Sequence, residues 1–254
     1  EYNLKEPDAN IYWGGFKGEL VYDATRTAGL NIYFGPRFLI FAEYYQQFNR
    51  SNENLAVLGM DFRHYLPIHR TFIWANRFAA SASFGNNKLI YYMGGVDNWI
   101  TASFNDDIPI DYSQNYAYQT LATPVRGFDQ NIRNGSNFFV INSELRFPVF
   151  RYFFNRPIRS DFLNNFQIVG FGDVGTAWNG LNPYSSDNSL FTTTVSQQPL
   201  LITVEMQKEP IVGGFGFGLR SRLLGYFVRA DLAWGVEDYQ VQPSKFYISL
   251  SLDF

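Results

Sequence analysis

The chain has 254 residues, a formal net charge of −3, no cysteine and an aromatic share of 19%. That charge balance argues against nucleic acid as a partner, and the missing cysteines leave the redox compartment open. With 26 Phe and 17 Tyr the aromatic load is well above what a water-soluble core needs, yet no run approaches the roughly 18 apolar residues of a transmembrane helix. Such a chain reads as a sheet whose outer face meets lipid, with Tyr and Trp as interfacial girdles. A large soluble β-sandwich or barrel is the alternative that composition leaves open. Glu1 opens directly into mixed sequence, which implies a targeting segment removed or carried on an N-terminal part outside this chain.

Helical periodicity is nearly absent and period-two alternation recurs. In chain order the sequence predicts strands over Phe16–Thr25, Pro36–Phe48, Asn54–Leu66, Phe72–Phe84, Phe138–Pro148, Phe166–Trp178, Val212–Leu223, Tyr226–Val236 and Phe246–Phe254. These about nine segments have the ~9–11-residue length of a tilted membrane strand. In the fifth, Ile141, Ser143, Leu145 and Phe147 share one face and Asn142, Glu144 and Arg146 the other. In the eighth, Tyr226, Val228, Ala230, Leu232 and Trp234 oppose Phe227, Arg229, Asp231 and Ala233. Charges on one face and bulky apolar groups on the other fit a polar lumen and a lipid-facing exterior. The last strand alternates to its end: Phe246, Ile248, Leu250 and Leu252 on one face, with an aromatic, Phe254, at the terminus.

Connections fall into two classes. Leu66–Thr71 and Leu224–Gly225 are tight, whereas Asn49–Glu53, Asn86–Asn137, Asn179–Pro210 and Glu237–Lys245 are mostly longer. Alternating short and long links are the threading of a barrel with short periplasmic turns and longer outer loops. The link Val149–Asn165, with Arg151, Arg156 and Arg159, is assigned to the periplasmic side. Nine is an odd count where single-chain bacterial barrels are even. Either Glu1–Tyr12 holds a further irregular strand or the chain is the C-terminal part of a larger barrel; the second reading is favoured.

Within Asn86–Asn137 lies Thr123-Pro124-Val125-Arg126-Gly127-Phe128. Pro124 stiffens the approach and Gly127 allows a tight tip at which Arg126 and Phe128 diverge; taken alone the tripeptide is also an ordinary exposed turn. Glu144 is the only carboxylate of the fifth strand, and Asp173 sits mid-strand in Phe171-Gly172-Asp173-Val174-Gly175, where glycines leave space for something to approach. A guanidinium folded onto the polar face would bond both carboxylates, as arginine's forked donors favour. Placing Asp173 inward puts Val169, Phe171 and Gly175 inward too and leaves Gly170 and Gly172 outside, so a bulge is expected here.

Val125-Arg126-Gly127-Phe128, the Glu144 strand, Phe171–Gly175 and the terminal aromatic together resemble the BamA superfamily of outer-membrane assembly and secretion barrels. Gly213-Gly214-Phe215-Gly216-Phe217-Gly218-Leu219-Arg220 and Val228-Arg229-Ala230-Asp231-Leu232-Ala233-Trp234-Gly235 resemble that family's last strands before the final one. The likeness runs from about Asp97 to Phe254, is looser from Tyr22 to Arg37, and in Pro157–Phe162 is similar to versions from Bacteroidota. The resemblance implies an all-β, antiparallel transmembrane β-barrel of sixteen strands, of which this chain carries the C-terminal nine, without the periplasmic POTRA domains. It implies that Arg126 is the signature arginine of a lumen-directed loop, locked with Gly127 and Phe128 onto Glu144 and Asp173. Phe246, Ile248, Leu250, Leu252 and Phe254 would form one side of a weak lateral seam, and Gly213, Gly214, Gly216 and Gly218 a flexible wall beside it.

Covalent chemistry finds little support. His64 and His69 flank a short turn and read as interfacial or solvated side chains, and no G-x-S-x-G or H-E-x-x-H pattern occurs. Asp106, Asp107 and Asp111 could hold calcium, but a solvated charge run is the simpler reading. The sequence therefore predicts no enzyme, no cofactor and no resident metal. The resemblance implies a bacterial outer-membrane protein, in a Gram-negative cell, whose partners are outer-membrane lipids or lipopolysaccharide, client outer-membrane or secreted proteins, and periplasmic or lipoprotein accessory subunits. Insertion or translocation of proteins by strand templating is the expected activity; a passive or substrate-specific secretion pore is the alternative.

Overall fold

The computed structural model describes residues 12–48, 53–111, 114–121, 124–154, 156–188, 190–197, 200–205 and 207–254. Thr123, most of the 49–53 link and all but the last residue of the candidate strand 1–12 lie outside them.

The protein is all-β and antiparallel in its main sheet. The sheet begins with β1 (Trp13–Asp23), β2 (Arg26–Gly29), β3 (Ile32–Gln47), β4 (Asn54–His69) and β5 (Phe72–Gly85). An insertion follows, carrying β6 (Asn87–Met93), β7 (Asn115–Leu121) and β8 (Arg133–Gly135), before β9 (Asn137–Phe147) rejoins the sheet. Two short helices, α1 (Val149–Phe153) and α2 (Asp161–Asn165), lead into β10 (Gln167–Trp178), and β11 (Thr192–Gln197) and β12 (Leu200–Glu205) form a separate hairpin. β13 (Val212–Leu223), β14 (Tyr226–Glu237), β15 (Gln240–Val241) and β16 (Lys245–Ser249) complete it. The strand order is β1-β3-β4-β5-β9-β10-β13-β14, with β15 and β16 both on the far side of β14 and β2 pairing β3 beyond β1. Among the described residues the sheet is open, with β1 and β16 at its two ends and no closed barrel.

Side-chain alternation accounts for the sheet's two unlike faces. One face is open: Ile40, Leu58, Met60, Trp74, Ile141, Leu145, Ile168, Phe215, Phe217 and Leu219 are all exposed. The other face is covered by the insertion and the C-terminal residues. Its largest fully buried side chains are led by four arginines, Arg126, Arg133, Arg146 and Arg220, and include Glu144. The covered side thus buries charged groups, which are almost never fully buried unless paired, beside hydrophobic clusters such as that of Leu55, Val57, Met93 and Val140, while the open face carries a contiguous apolar patch.

Several expectations are corrected. Asn86–Asn137 is not a bare loop but contains a three-stranded sheet ordered β7-β6-β8, with β6 and β7 parallel. The Glu237–Lys245 link is shorter than expected, because Asp238 and Tyr239 both take positive φ (51° and 61°) and close a two-residue turn. No bulge interrupts β10: its pairing with β9 runs in one register from Ile168↔Phe147 to Trp178↔Asn137. Phe171 is accommodated inward because a guanidinium lies on its ring, and outward Gly170 faces open space. The terminal strand stops at Ser249, not Phe254. Asp253 takes φ 67°, turning Phe254 into a buried cluster with Ile32, Tyr65, Ile73 and Ala75. The aromatic terminus therefore packs on the covered face.

Candidate functional site

The site is built from four neighbouring strands and one loop. β9 presents Asn142, Glu144 and Arg146 on the covered face, β10 presents Phe171 and Asp173, β13 presents Gly214, Gly216, Gly218 and Arg220, and β14 presents Arg229 and Asp231. Residues 124–132 of the insertion descend onto them, with Gly127 at φ 104° forming the tip.

Arg126 is the centre. Its Nε donates to Asp173 Oδ2 at 2.7 Å and its Nη2 to Asp173 Oδ1 at 2.8 Å, a forked pair. Nη1 donates to Glu144 Oε1 at 2.6 Å, and the backbone N–H of Arg126 also donates to Asp173, at 3.1 Å. The guanidinium carbon lies 3.6 Å from the Phe171 ring centroid, so the aromatic face takes the plane that the carboxylates leave unused. Asn142 Nδ2 bridges Asp173 and the carbonyl of Pro124. An ion buried without partners costs several kcal/mol; here the fork, the second carboxylate and the ring together offset that penalty.

Glu144 serves more than Arg126. Arg220 donates to both of its oxygens, at 2.6 and 2.9 Å, and Arg146 Nε donates at 2.7 Å. Asp231 stands as a further counter-charge, 3.5 Å from Arg229 Nη2 and 4.0 Å from Arg126 Nη1. From Arg146 the network continues through an ion pair with Asp253, then to Arg63, Asp61 and Arg77. Ion pairs thus run across the covered face from β5 to β14. Asp253 also accepts from Arg37 at 3.0 Å and from the Tyr65 hydroxyl. Burial alone would raise its pKa; Arg146, then Arg63 and the Tyr65 hydroxyl outweigh this and hold the carboxyl at about 2.

Close backbone approach fixes the loop. A Cβ on Gly127 would strike the main chain of Trp234 and Gly235, one on Gly214 the carbonyl of Arg126, and one on Gly235 the Phe128 ring. Gly216 is crowded by the Leu232 carbonyl and Phe171, and Gly218 by Asp231, whereas Gly213 meets only ordinary contacts. Three of the four wall glycines singled out in the sequence are therefore sites of close approach on the covered face.

The loop also holds the last strand. Gly127 N–H donates to the Tyr247 hydroxyl at 2.8 Å, that hydroxyl donates to the Phe128 carbonyl at 2.9 Å, and Lys245 Nζ meets Asp129 at 2.5 Å. The structure thus brings Arg126, Gly127, Phe128, Glu144 and Asp173 together. Phe246, Ile248, Leu250 and Leu252 stand apart on the open face, all exposed, and Phe254 is buried on the opposite face. The network also takes in Asn142, Arg146, Arg229 and Asp231, which the sequence pattern places on polar strand faces without a role, and Arg220 and Tyr247. The signal was present: Glu144/Arg146 and Arg229/Asp231 are charged at spacing two, which puts each pair on one face.

No model of a known protein family matches the chain, and no curated protein matches it in sequence.

Proposed function

We propose that this chain forms the C-terminal strands of an outer-membrane β-barrel, sixteen-stranded as the BamA-superfamily resemblance implies, that inserts or translocates other proteins by templating strands at a lateral seam. The partition of side chains supports the membrane setting: exposed Ile, Leu, Phe and Trp on one face suit hydrocarbon, and a charged, buried network suits a lumen. In this reading β1 continues into further strands at its exposed edge, lipids or lipopolysaccharide contact the open face, and accessory subunits dock from the periplasm.

The single observation that carries the activity is the short ladder of the last strand. β13 and β14 pair along their whole length, from Gly213↔Val236 to Leu223↔Tyr226, but on the other edge of β14 the ladder is broken: β15 and Gln242 hold Glu237 to Gly235, and β16 pairs only from Ala233↔Lys245 to Arg229↔Ser249. A short terminal ladder beside a wall stiffened by Arg126 offers a main-chain edge that can exchange partners. A free edge templates an incoming strand through main-chain hydrogen bonds. No covalent step is required.

Reconstitution tests this. The full-length protein in liposomes should accelerate folding of a urea-unfolded outer-membrane barrel by at least about tenfold over empty liposomes, equivalent to about 1.4 kcal/mol of barrier lowering. Unchanged folding with stepwise ion conductance in planar bilayers would replace the assembly reading with the pore. A monomer soluble without detergent would remove the membrane assignment.

A further inference from the structure

The outer edge of β16 is already occupied by a piece of this same chain. Residues 98–100, in the insertion between β6 and β7, lie antiparallel against it, with Trp99 directly opposite Ser249. Ile100 N–H donates to the Ile248 carbonyl at 3.0 Å, and Leu250 N–H donates to the Asn98 carbonyl at 3.3 Å. Ile248 stands opposite Ala230 in the ladder with β14, yet its carbonyl accepts from Ile100, so successive residues of β16 serve opposite edges, as antiparallel alternation requires.

Side chains fix the register. Trp99 turns to the covered face and packs edge-on against Tyr247, centroids 4.9 Å apart, beside the buried cluster of Val96, Phe171, Ala233 and Tyr247. Its neighbours Asn98 and Ile100 point the other way and are exposed. The segment makes a single antiparallel bridge at a turn, with Asn98 in the left-handed region (φ 51°): an inward aromatic anchor, exposed flanking residues and two main-chain hydrogen bonds. So short a ladder is marginal by itself, and a longer extended strand would gain more main-chain bonds at the same edge; the Trp99 indole N–H, with no acceptor among the described residues, adds nothing to hold the segment.

We propose that residues 98–100 are a built-in strand mimic that caps the edge of β16. The partner this edge takes is an extended polypeptide strand, running antiparallel to β16, with an aromatic side chain opposite Ser249 and apolar neighbours facing the open side. The partner displaces the mimic, and Trp99 leaves its seat beside Tyr247 to the incoming aromatic. This rests on the strand-templating reading and specifies its partner and its resting state.

The chain has no cysteine, so a disulfide can clamp the mimic cleanly. Asn98→Cys with Leu250→Cys, on exposed positions directly across the edge, fixes it when oxidised and frees it when reduced. Ile100→Pro removes one of the two hydrogen bonds. The probe is a fluorescent synthetic peptide of residues 96–101, added to the full-length protein in detergent micelles. The competent fraction of the edge scales the apparent affinity. Ile100→Pro should therefore bind the peptide at least about tenfold more tightly than the unsubstituted protein. The oxidised clamp should not bind it, and reductant should restore binding in the same sample, which separates clamping from misfolding. Equal binding by the clamp in its oxidised and reduced forms would overturn the proposal. Client folding in liposomes is measured in parallel. If the peptide arms separate as expected while the unsubstituted protein folds no client, the mimic stands and the assembly reading fails. If client folding proceeds equally in the oxidised clamp, the assembly reading stands and displacement of the mimic fails.

Discussion

The wall from β9 to β14 and the strand β16 beside it are held by different means. In the wall, long continuous ladders are reinforced on the covered face by Arg126, which ties the insertion to Asp173 on β10 and Glu144 on β9, and by Arg220, which reaches from β13 past β10 to Glu144. The last strand has a short ladder and depends on the insertion: Tyr247 holds the Gly127 tip, Lys245 holds Asp129, and residues 98–100 cap its edge. One loop therefore stiffens the wall with its arginine and grips the terminal strand with its backbone. Stability and exchangeability are distributed by the same element to adjacent strands.

Substitutions can break this contrast to different degrees. Arg126→Ala should have the largest effect, since Asp173 is left buried without its forked partner; about 3–5 kcal/mol is expected, read as a lowered unfolding midpoint in micelles. Arg126→Lys should recover only part, because a point charge cannot make the fork. Gly214→Ala comes next, at about 3 kcal/mol, because the new Cβ meets the main chain of Arg126 and not a side chain that can swing away.

The C-terminal residues supply a pH test. The Asp253 carboxyl is depressed from 3.8 to about 2. Its contribution is therefore complete above about pH 4, of order 2 kcal/mol, and is lost as pH falls through about 2. A dye on Leu252→Cys should report unchanged tail docking from neutral pH to about pH 4 and release only below it, while Asp253→Asn should weaken docking at neutral pH. Tyr247→Phe should cost about 1 kcal/mol, a hydrogen bond's worth, and loosen β16 without touching the Arg126 pairs. Gly213→Ala, whose Cβ meets only ordinary contacts, should change stability by no more than about 0.5 kcal/mol.

Much of the wall was legible because a strand with one charged face announces both its period and its orientation. Glu144 with Arg146, and Arg229 with Asp231, fix the covered face of β9 and β14 before any contact is known. The Arg126-Gly127-Phe128 tip was legible because it needs a residue tolerant of positive φ beside a forked donor. What escaped was tertiary. The inward turn of Phe254 depends on a pocket assembled from Ile32, Tyr65 and Ile73 on β3, β4 and β5, and alternation cannot foresee it. The strands inside 86–137 are short, and β6 and β7 pair in parallel across an intervening loop, which leaves no hairpin signal. Nor does Trp99 stand in an alternating run; only its seat against Tyr247 gives it a role.

Hydrogen exchange on the full-length protein in lipid nanodiscs tests the contrast most directly, because local opening reports each strand's own stability. The amides of Tyr247 and Ser249 in β16 should exchange at least about tenfold faster than those of β10 and β13, a gap of about 1.4 kcal/mol or more. Tyr247→Phe and Ile100→Pro should speed the first group alone. If β16 is protected as strongly as β10 and β13, or if these variants loosen all three strands together, the terminal strand is one more member of the wall and the seam does not exist.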